Sequence, residues 1–234
     1  MGLNKIFYLC IFLTLSNFQT TINSGEVVYQ VSFNKEKVEA RIQEKPNVKG
    51  ANKLKFLLKN SSEVDFSLKF SRDESLYKYV EAMESDASKG INITKIFAGN
   101  NSTIYYNNVS KEILSQTSVS DETYLISKNL VKWKMTSQSK IINNYKCFKA
   151  ISLDSKGKET GVVAWYAPAI PFNYGPGRFN NLPGLILELE DKMVIFRAKK
   201  IKLNKKKVKI KKPNKGIPIS YEDFKKRYKG IFDK

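Results

Sequence analysis

A chain of 234 residues without one histidine must find its acid–base chemistry in carboxylates, tyrosines or cysteines. Two carboxylate pairs stand close enough in sequence to share a reacting group: Glu188 with Glu190, and Glu222 with Asp223. Alternate residues of a strand share a face, so Glu188 and Glu190 would lie roughly 7 Å apart, and paired carboxylates can cleave glycosides. Charged residues on a strand's outer face are far more often simply solvated, and on that ground the chain is read as a non-enzyme. The missing histidine excludes Ser-His-Asp and Cys-His hydrolases and removes the commonest metal ligand. Cys147 with carboxylates alone is a poor zinc set, so no metal and no cofactor is expected. Cys10 falls in an apolar N-terminal run, which leaves Cys147 as the one cysteine of the mature chain. Its neighbours Tyr145 and Phe148 read as strand residues near the core, and the expected role of Cys147 is a small buried hydrophobe.

The second chemical feature is charge. The formal net charge is +19, and the segment 197–234 alone contributes +13. Such a field favours acidic partners, for example an anionic envelope surface or an acidic protein face. Lys205, Lys206, Lys207, Lys209, Lys211 and Lys212 are the candidates for anion contact. They alternate with Val208 and Ile210, which also suits an edge strand whose lysines deter aggregation. No nucleic-acid-binding motif accompanies the charge, and nucleic acid is not expected as a partner.

The third feature is the segment from Ala164 to Glu190. Pro168, Pro171, Pro176 and Pro183 fix φ there, while Gly175, Gly177 and Gly184 permit φ > 0. Large apolar side chains interleave with them, which a flexible linker has no use for. The segment therefore reads as a fixed, packed loop between two strands. Trp133, Trp165, Tyr166, Phe172, Tyr174 and Phe179 are the candidate contacts for an apolar ligand or a protein partner, with burial in an ordinary core as the alternative. Pro171, Gly175, Pro176, Leu182, Pro183 and Gly184 are the residues expected to set the backbone of the loop.

The motif Trp165-Tyr166, Ile170-Pro171, Gly175-Pro176 and Asn181-Leu182-Pro183-Gly184-Leu185-Ile186 resembles the signature of the GLPGLI family, exported bacterial proteins of unestablished role. Asn181 stands where the family name has its first glycine, and asparagine tolerates the left-handed conformation that such a turn requires. Tyr145-Lys146-Cys147-Phe148-Lys149-Ala150 resembles a second element of that family. The order of these motifs is also similar to the curved sheets of LolA-type lipoprotein carriers, in which strands wrap an apolar concavity. The resemblance implies an exported protein of the bacterial envelope, in the periplasm or at the outer membrane. It implies binding of a lipid or other apolar ligand or a carrier role; the alternative is an accessory partner of an outer-membrane receptor or transporter.

Around these motifs the pattern is mostly strand. Val27–Phe33, Leu54–Leu58, Val64–Phe70, Thr94–Phe97, Ser102–Tyr106, Glu112–Gln116, Thr123–Ile126, Val131–Met135, Tyr145–Leu153, Thr160–Tyr166, Leu185–Leu189 and Met193–Phe196 alternate or carry β-branched and aromatic residues between turn signals, and Ser75–Val80 reads as a strand or a short helix. The expected fold is mainly β: one antiparallel meander, strongly curved into a half-barrel, with a short C-terminal helix capped by Ser220. Residues 1–24 read as a signal peptide, with Lys5 followed by a short apolar run from Ile6 to Leu15. Residues 25–212 are then the β domain and 213–234 a basic tail, in a monomeric protein.

Overall fold

A computed structural model describes residues 22–44, 52, 56, 59, 61–81, 92–191 and 193–229. Of the leader reading at 1–24, residues 1–21 lie outside them. The described strands are β1 (Ser24–Phe33), β2 (Val64–Ser71), β3 (Glu74–Tyr79), β4 (Thr103–Asn107), β5 (Ile113–Val119), β6 (Glu122–Lys128), β7 (Lys132–Ile142), β8 (Tyr145–Leu153), β9 (Glu159–Ala167), β10 (Leu185–Glu190), β11 (Val194–Asn204) and β12 (Ile217–Ser220). Among the described residues the bounded helices are α1 (Lys35–Glu44), α2 (Ile93–Ala98) and α3 (Tyr221–Arg227), and residues 52, 56 and 59 are also helical.

All twelve strands share one sheet, in the order β12-β6-β5-β4-β3-β2-β1-β11-β10-β9-β8-β7. The expected mainly antiparallel sheet is present, built as two meanders that meet where β1 pairs with β11. One pair departs from the expectation: β12 lies parallel to β6. Pro218 sits within β12, at an edge, where its missing donor removes no ladder bond from a central strand.

The connection from β6 to β7 shows how far the sheet curls. Lys128 ends β6 and Lys132 begins β7, although the two strands stand ten places apart. Four Cα steps reach about 15 Å at most. Ten strand spacings would need roughly 48 Å in a flat sheet. The sheet must therefore bend until its two ends approach each other.

Alternation explains which face is buried. Val27, Tyr29, Val31 and Phe33 of β1, Phe66, Leu68 and Phe70 of β2, and Val194, Phe196 and Ala198 of β11 all point into one core cluster. Tyr29 donates its hydroxyl to the Ile186 carbonyl at 2.6 Å, satisfying a polar group that is fully buried. Such bonds are what make buried tyrosines tolerable. The opposite face carries a smaller cluster, Tyr105, Leu114 and Ile210, with Val208 packed beside it.

Three sequence expectations need correction. Residues 94–97 form α2, not a strand. Asn92 caps it by accepting from the Lys95 amide at 3.4 Å, and Gly99 ends it with φ +123. An asparagine stop before and a glycine stop after outweigh the β-branched content between them. Residues 205–212 are not a strand either: β11 ends at Asn204 and the lysine run crosses the outer face as a loop, held there by Ile210. Of the run 54–58 only Phe56 is described; it is helical and exposed. The boundaries placed after residues 24 and 212 both cut through the sheet. Ser24 is the first residue of β1 and donates its hydroxyl to the Lys206 carbonyl at 2.6 Å, while β12 lies wholly in the tail.

Candidate functional site

The loop between β9 and β10 is knit by its own backbone. Phe172 bonds to Ile170 at 2.7 Å, Tyr174 to Phe172 at 2.9 Å and Gly184 to Leu182 at 2.8 Å, each amide reaching two residues back as in γ-turns. Asn181 donates to the Asn173 carbonyl at 2.9 Å and takes φ +73, the left-handed conformation expected of it. Leu185 and Ile186 return to the carbonyls of Ile170 and Tyr174 at 3.0 and 2.9 Å.

Its glycines act for two different reasons. Gly184 has φ +154, and a Cβ there would meet the Ala167 carbonyl carbon at 2.6 Å and the Pro168 nitrogen at 2.8 Å. Gly175 needs no positive φ; a Cβ there would press on the Phe179 carbonyl oxygen and on Ile186 Cδ1 at 2.5 Å. Gly175 is thus required by close approach alone, a feature invisible to turn statistics.

The loop's side chains fill the inside of the curled sheet. Phe172 packs on Phe70 of β2 at 4.7 Å between ring centroids, and Tyr174 on Tyr106 of β4 at 5.8 Å. Tyr174 donates its hydroxyl to the Arg72 carbonyl at 3.0 Å, in the β2–β3 turn. On the far end of the sheet, Trp133 of β7 lies tilted against Phe179 at 6.3 Å between ring centroids and donates its indole N–H to the Asn180 carbonyl at 2.8 Å. A single loop that touches both β4 and β7 spans most of the sheet, so it lies on the concave face. Ile170, Phe172, Tyr174, Phe179 and Leu182 are all buried. Desolvation raises the phenol pKa of Tyr174 well above its ordinary range and that of Tyr166 in the same direction.

The six aromatic candidates do not form one surface. Trp133, Phe172, Tyr174 and Phe179 meet inside the sheet, and Tyr166 points into the same core against Phe148. Trp165 is on the other face, under the ammonium of Lys140 at 4.4 Å. Two shallow, polar depressions among the described residues lie elsewhere. One runs along Asn101, Thr103, Gln116 and Thr123, the other along Glu26, Ser67, Lys69 and Tyr79. None of the six aromatics lines them.

The carboxylate pair resolves into two ion pairs. Glu188 binds Lys140 at 2.8 Å and Arg197 at 3.5 Å. Glu190 binds Lys37 at 2.8 Å and accepts from Asn34 at 3.1 Å. Burial alone would raise the Glu190 pKa, but these partners outweigh it and hold the carboxyl below its ordinary value. Each acid is occupied by its own cations rather than aimed at a shared substrate position. Glu222 and Asp223 sit in the exposed first turn of α3, where the Ser220 hydroxyl caps Asp223 N at 3.1 Å. Cys147 is fully buried, and burial pushes its thiol up to about 11.

The lysine run is anchored through its backbone: the Lys205 and Lys206 carbonyls accept from Asn23 and Ser24 at 2.6 Å each. Its side chains are exposed, with Lys212 paired to Glu112 at 2.7 Å. Two residues that sequence reasoning passed over stand at the loop's tip and at the end of β6: Arg178 and Lys128.

A family model described as a protein of unknown function (Porph_ging) matches residues 152–188. That range contains the end of β8, all of β9, the loop and most of β10, so the likeness is centred on the loop. No curated protein sequence matches the chain. Among solved structures, PNGF-II in a P21 crystal form is similar over 87% of this chain with a TM-score of 0.53 and 16% identity. PNGF-II in a C2 form is similar over 89% of this chain with a TM-score of 0.53 and 14% identity. The chain spans about a third of the length of those structures, 32% and 33% respectively. These likenesses are of fold, and they are to PNGF-II rather than to a LolA-type protein.

Proposed function

We propose that the chain is an exported, non-catalytic protein of the bacterial envelope that works by docking on a protein partner, such as an outer-membrane receptor or transporter. The observation that carries this reading is the occupied concavity. Ile170, Phe172, Tyr174, Phe179 and Leu182 take up the apolar inside of the sheet, where a carrier would hold its cargo. A ligand pocket needs a concave apolar space with a few polar groups. Here the protein's own loop takes that space, and the surface left to a partner is the outside.

Export rests on the leader-like residues 1–15, and the absence of catalysis rests on a sequence without histidine and on acids already engaged by lysines. The outer surface offers an open edge, β7, with Met135 and Ile141 exposed to 59% and 67%. Placing a photo-crosslinking residue at Met135 or Ile141 in the native host should trap one envelope protein. A probe at Val109, equally apolar and exposed at 74% on a distant turn, should not. Crosslinks to lipid alone, or the same products from all three positions, would refute the reading.

A further inference from the structure

β7 is an end strand of the sheet: β8 pairs with it on one side, and no described strand pairs with it on the other. Proteins blunt such edges by keeping them short or by placing proline on them. β7 does neither; its 11 residues match β11, and it holds no proline. Among the described residues its backbone bonds to no segment but β8, and Gln138 N donates to Thr136 Oγ1 of its own strand at 3.3 Å. A row of main-chain donors and acceptors therefore lies open along the edge.

The side chains of β7 divide by face. Trp133, Met135 and Ile141 stand opposite Ser152, Ala150 and Lys146, which are alternate positions of β8, so they share one face. Lys132, Lys134 and Lys140 stand opposite Leu153, Ile151 and Cys147 and share the other. A jump in register between Met135 and Ser139 splits the edge into two runs, Lys132–Met135 and Ser139–Ile142. Each run keeps apolar side chains on one face and lysine on the other. Neither β7 nor β8 carries an acid; Lys134 and Lys140 pair with Glu159 and Glu188, which belong to β9 and β10. Lys149 of β8 lies on the lysine face as well, and neither it nor Lys132 enters an ion pair among the described residues. Lysines alone would only guard an edge against pairing. A guarded edge has no use for Met135 and Ile141 standing exposed on its other face.

We propose that β7 is the docking strand for an extended acidic segment of a partner protein, which adds to the sheet as a further antiparallel or parallel strand. Main-chain bonds supply the affinity and alternation supplies the specificity: apolar side chains on the face of Met135 and Ile141, carboxylates on the face of the lysines. A second copy of this chain fits poorly. Antiparallel pairing of Lys132 with Ile142 sets Lys134 opposite Lys140 twice over, and like charges directly opposite each other destabilise a sheet. The proposal rests on the docking reading and adds the partner's chemistry and its mode of attachment.

The test uses the full chain and three end-blocked peptides long enough to span β7. One alternates valine with glutamate, one alternates valine with lysine, and the third is the acidic peptide N-methylated at every backbone amide, so that it cannot donate to a ladder. The readout is amide hydrogen exchange of residues 132–142. At about ten times its dissociation constant the acidic peptide should slow the outward amides on the order of tenfold, and the other two should leave them unchanged. Lys132→Glu combined with Lys149→Glu removes no ion pair; it should turn the preference toward the basic peptide and leave the unfolding midpoint close to wild type. No slowing by the acidic peptide, equal slowing by the basic one, or slowing by the methylated one would overturn the proposal. Crosslinks at Met135 and Ile141 without slowing would keep the docking reading and sink strand addition; slowing without any crosslinked partner would do the reverse.

Discussion

Replacing Gly184 by alanine should cost far more than its single methyl group suggests. The new Cβ would lie 2.6 Å from the Ala167 carbonyl carbon and 2.8 Å from the Pro168 nitrogen, and backbone atoms cannot swing aside as a side-chain end can. Overpacking of this kind costs about 1–3 kcal/mol. A φ of +154 adds strain for any residue with a Cβ, on the order of 1–2 kcal/mol. The combined destabilisation is then about 2–5 kcal/mol, and at about 2–4 °C per kcal/mol the melting midpoint should fall by roughly 5–20 °C. The chain supplies its own control. Gly161 also has positive φ, +84, yet a Cβ there meets nothing within 4 Å. Gly161→Ala should therefore show conformational strain alone, about 1 kcal/mol. Thermal unfolding of the two variants side by side separates close approach from backbone strain. Equal midpoints would refute the argument that the loop is locked by contact between Gly184 and the end of β9.

Other expectations follow from single contacts. Cys147, buried and with its thiol pushed up to about 11, should resist thiol reagents at neutral pH and react fully only in denaturant; rapid labelling of the folded protein would contradict its place in the core. Trp133→Phe removes the indole donor to the Asn180 carbonyl and should lower stability by about 1 kcal/mol in urea titrations. An unchanged midpoint would mean that the bond does not tie the loop to β7. Glu190 has a folded pKa below its unfolded one, so its contribution is present above about pH 4.3 and is lost as pH falls through the folded value. Glu190→Gln should therefore cost up to about 1 kcal/mol at pH 7 and close to nothing near pH 2, measured as urea midpoints at both.

The local fold was legible wherever one face of a strand is buried, because the period of two then writes itself into the sequence. β1, β2 and β9 are such cases. α2 was misread although its stops were present: Asn92 and Gly99 frame six residues whose β-branched content pointed the other way. The lysine run misled for a different reason. Val208 and Ile210 do face inward, but they pack as a loop on the outer face of the sheet, and alternation over so few residues does not distinguish the two. The order of strands was not legible at all. Pairing of β1 with β11 joins residues more than 160 positions apart, and no local signal encodes it. The loop was legible as a packed object, since no linker carries so many aromatics. That it packs inside the sheet follows only from the curl that the β6–β7 crossover imposes.

The central claim is that the loop, not a ligand, occupies the inside of the sheet. Native mass spectrometry of the protein, purified gently from its native host, tests it most directly. The account predicts the mass of the bare chain, alone or in complex with a partner protein. A lipid or other apolar molecule bound in stoichiometric amount would contradict it and restore the carrier reading.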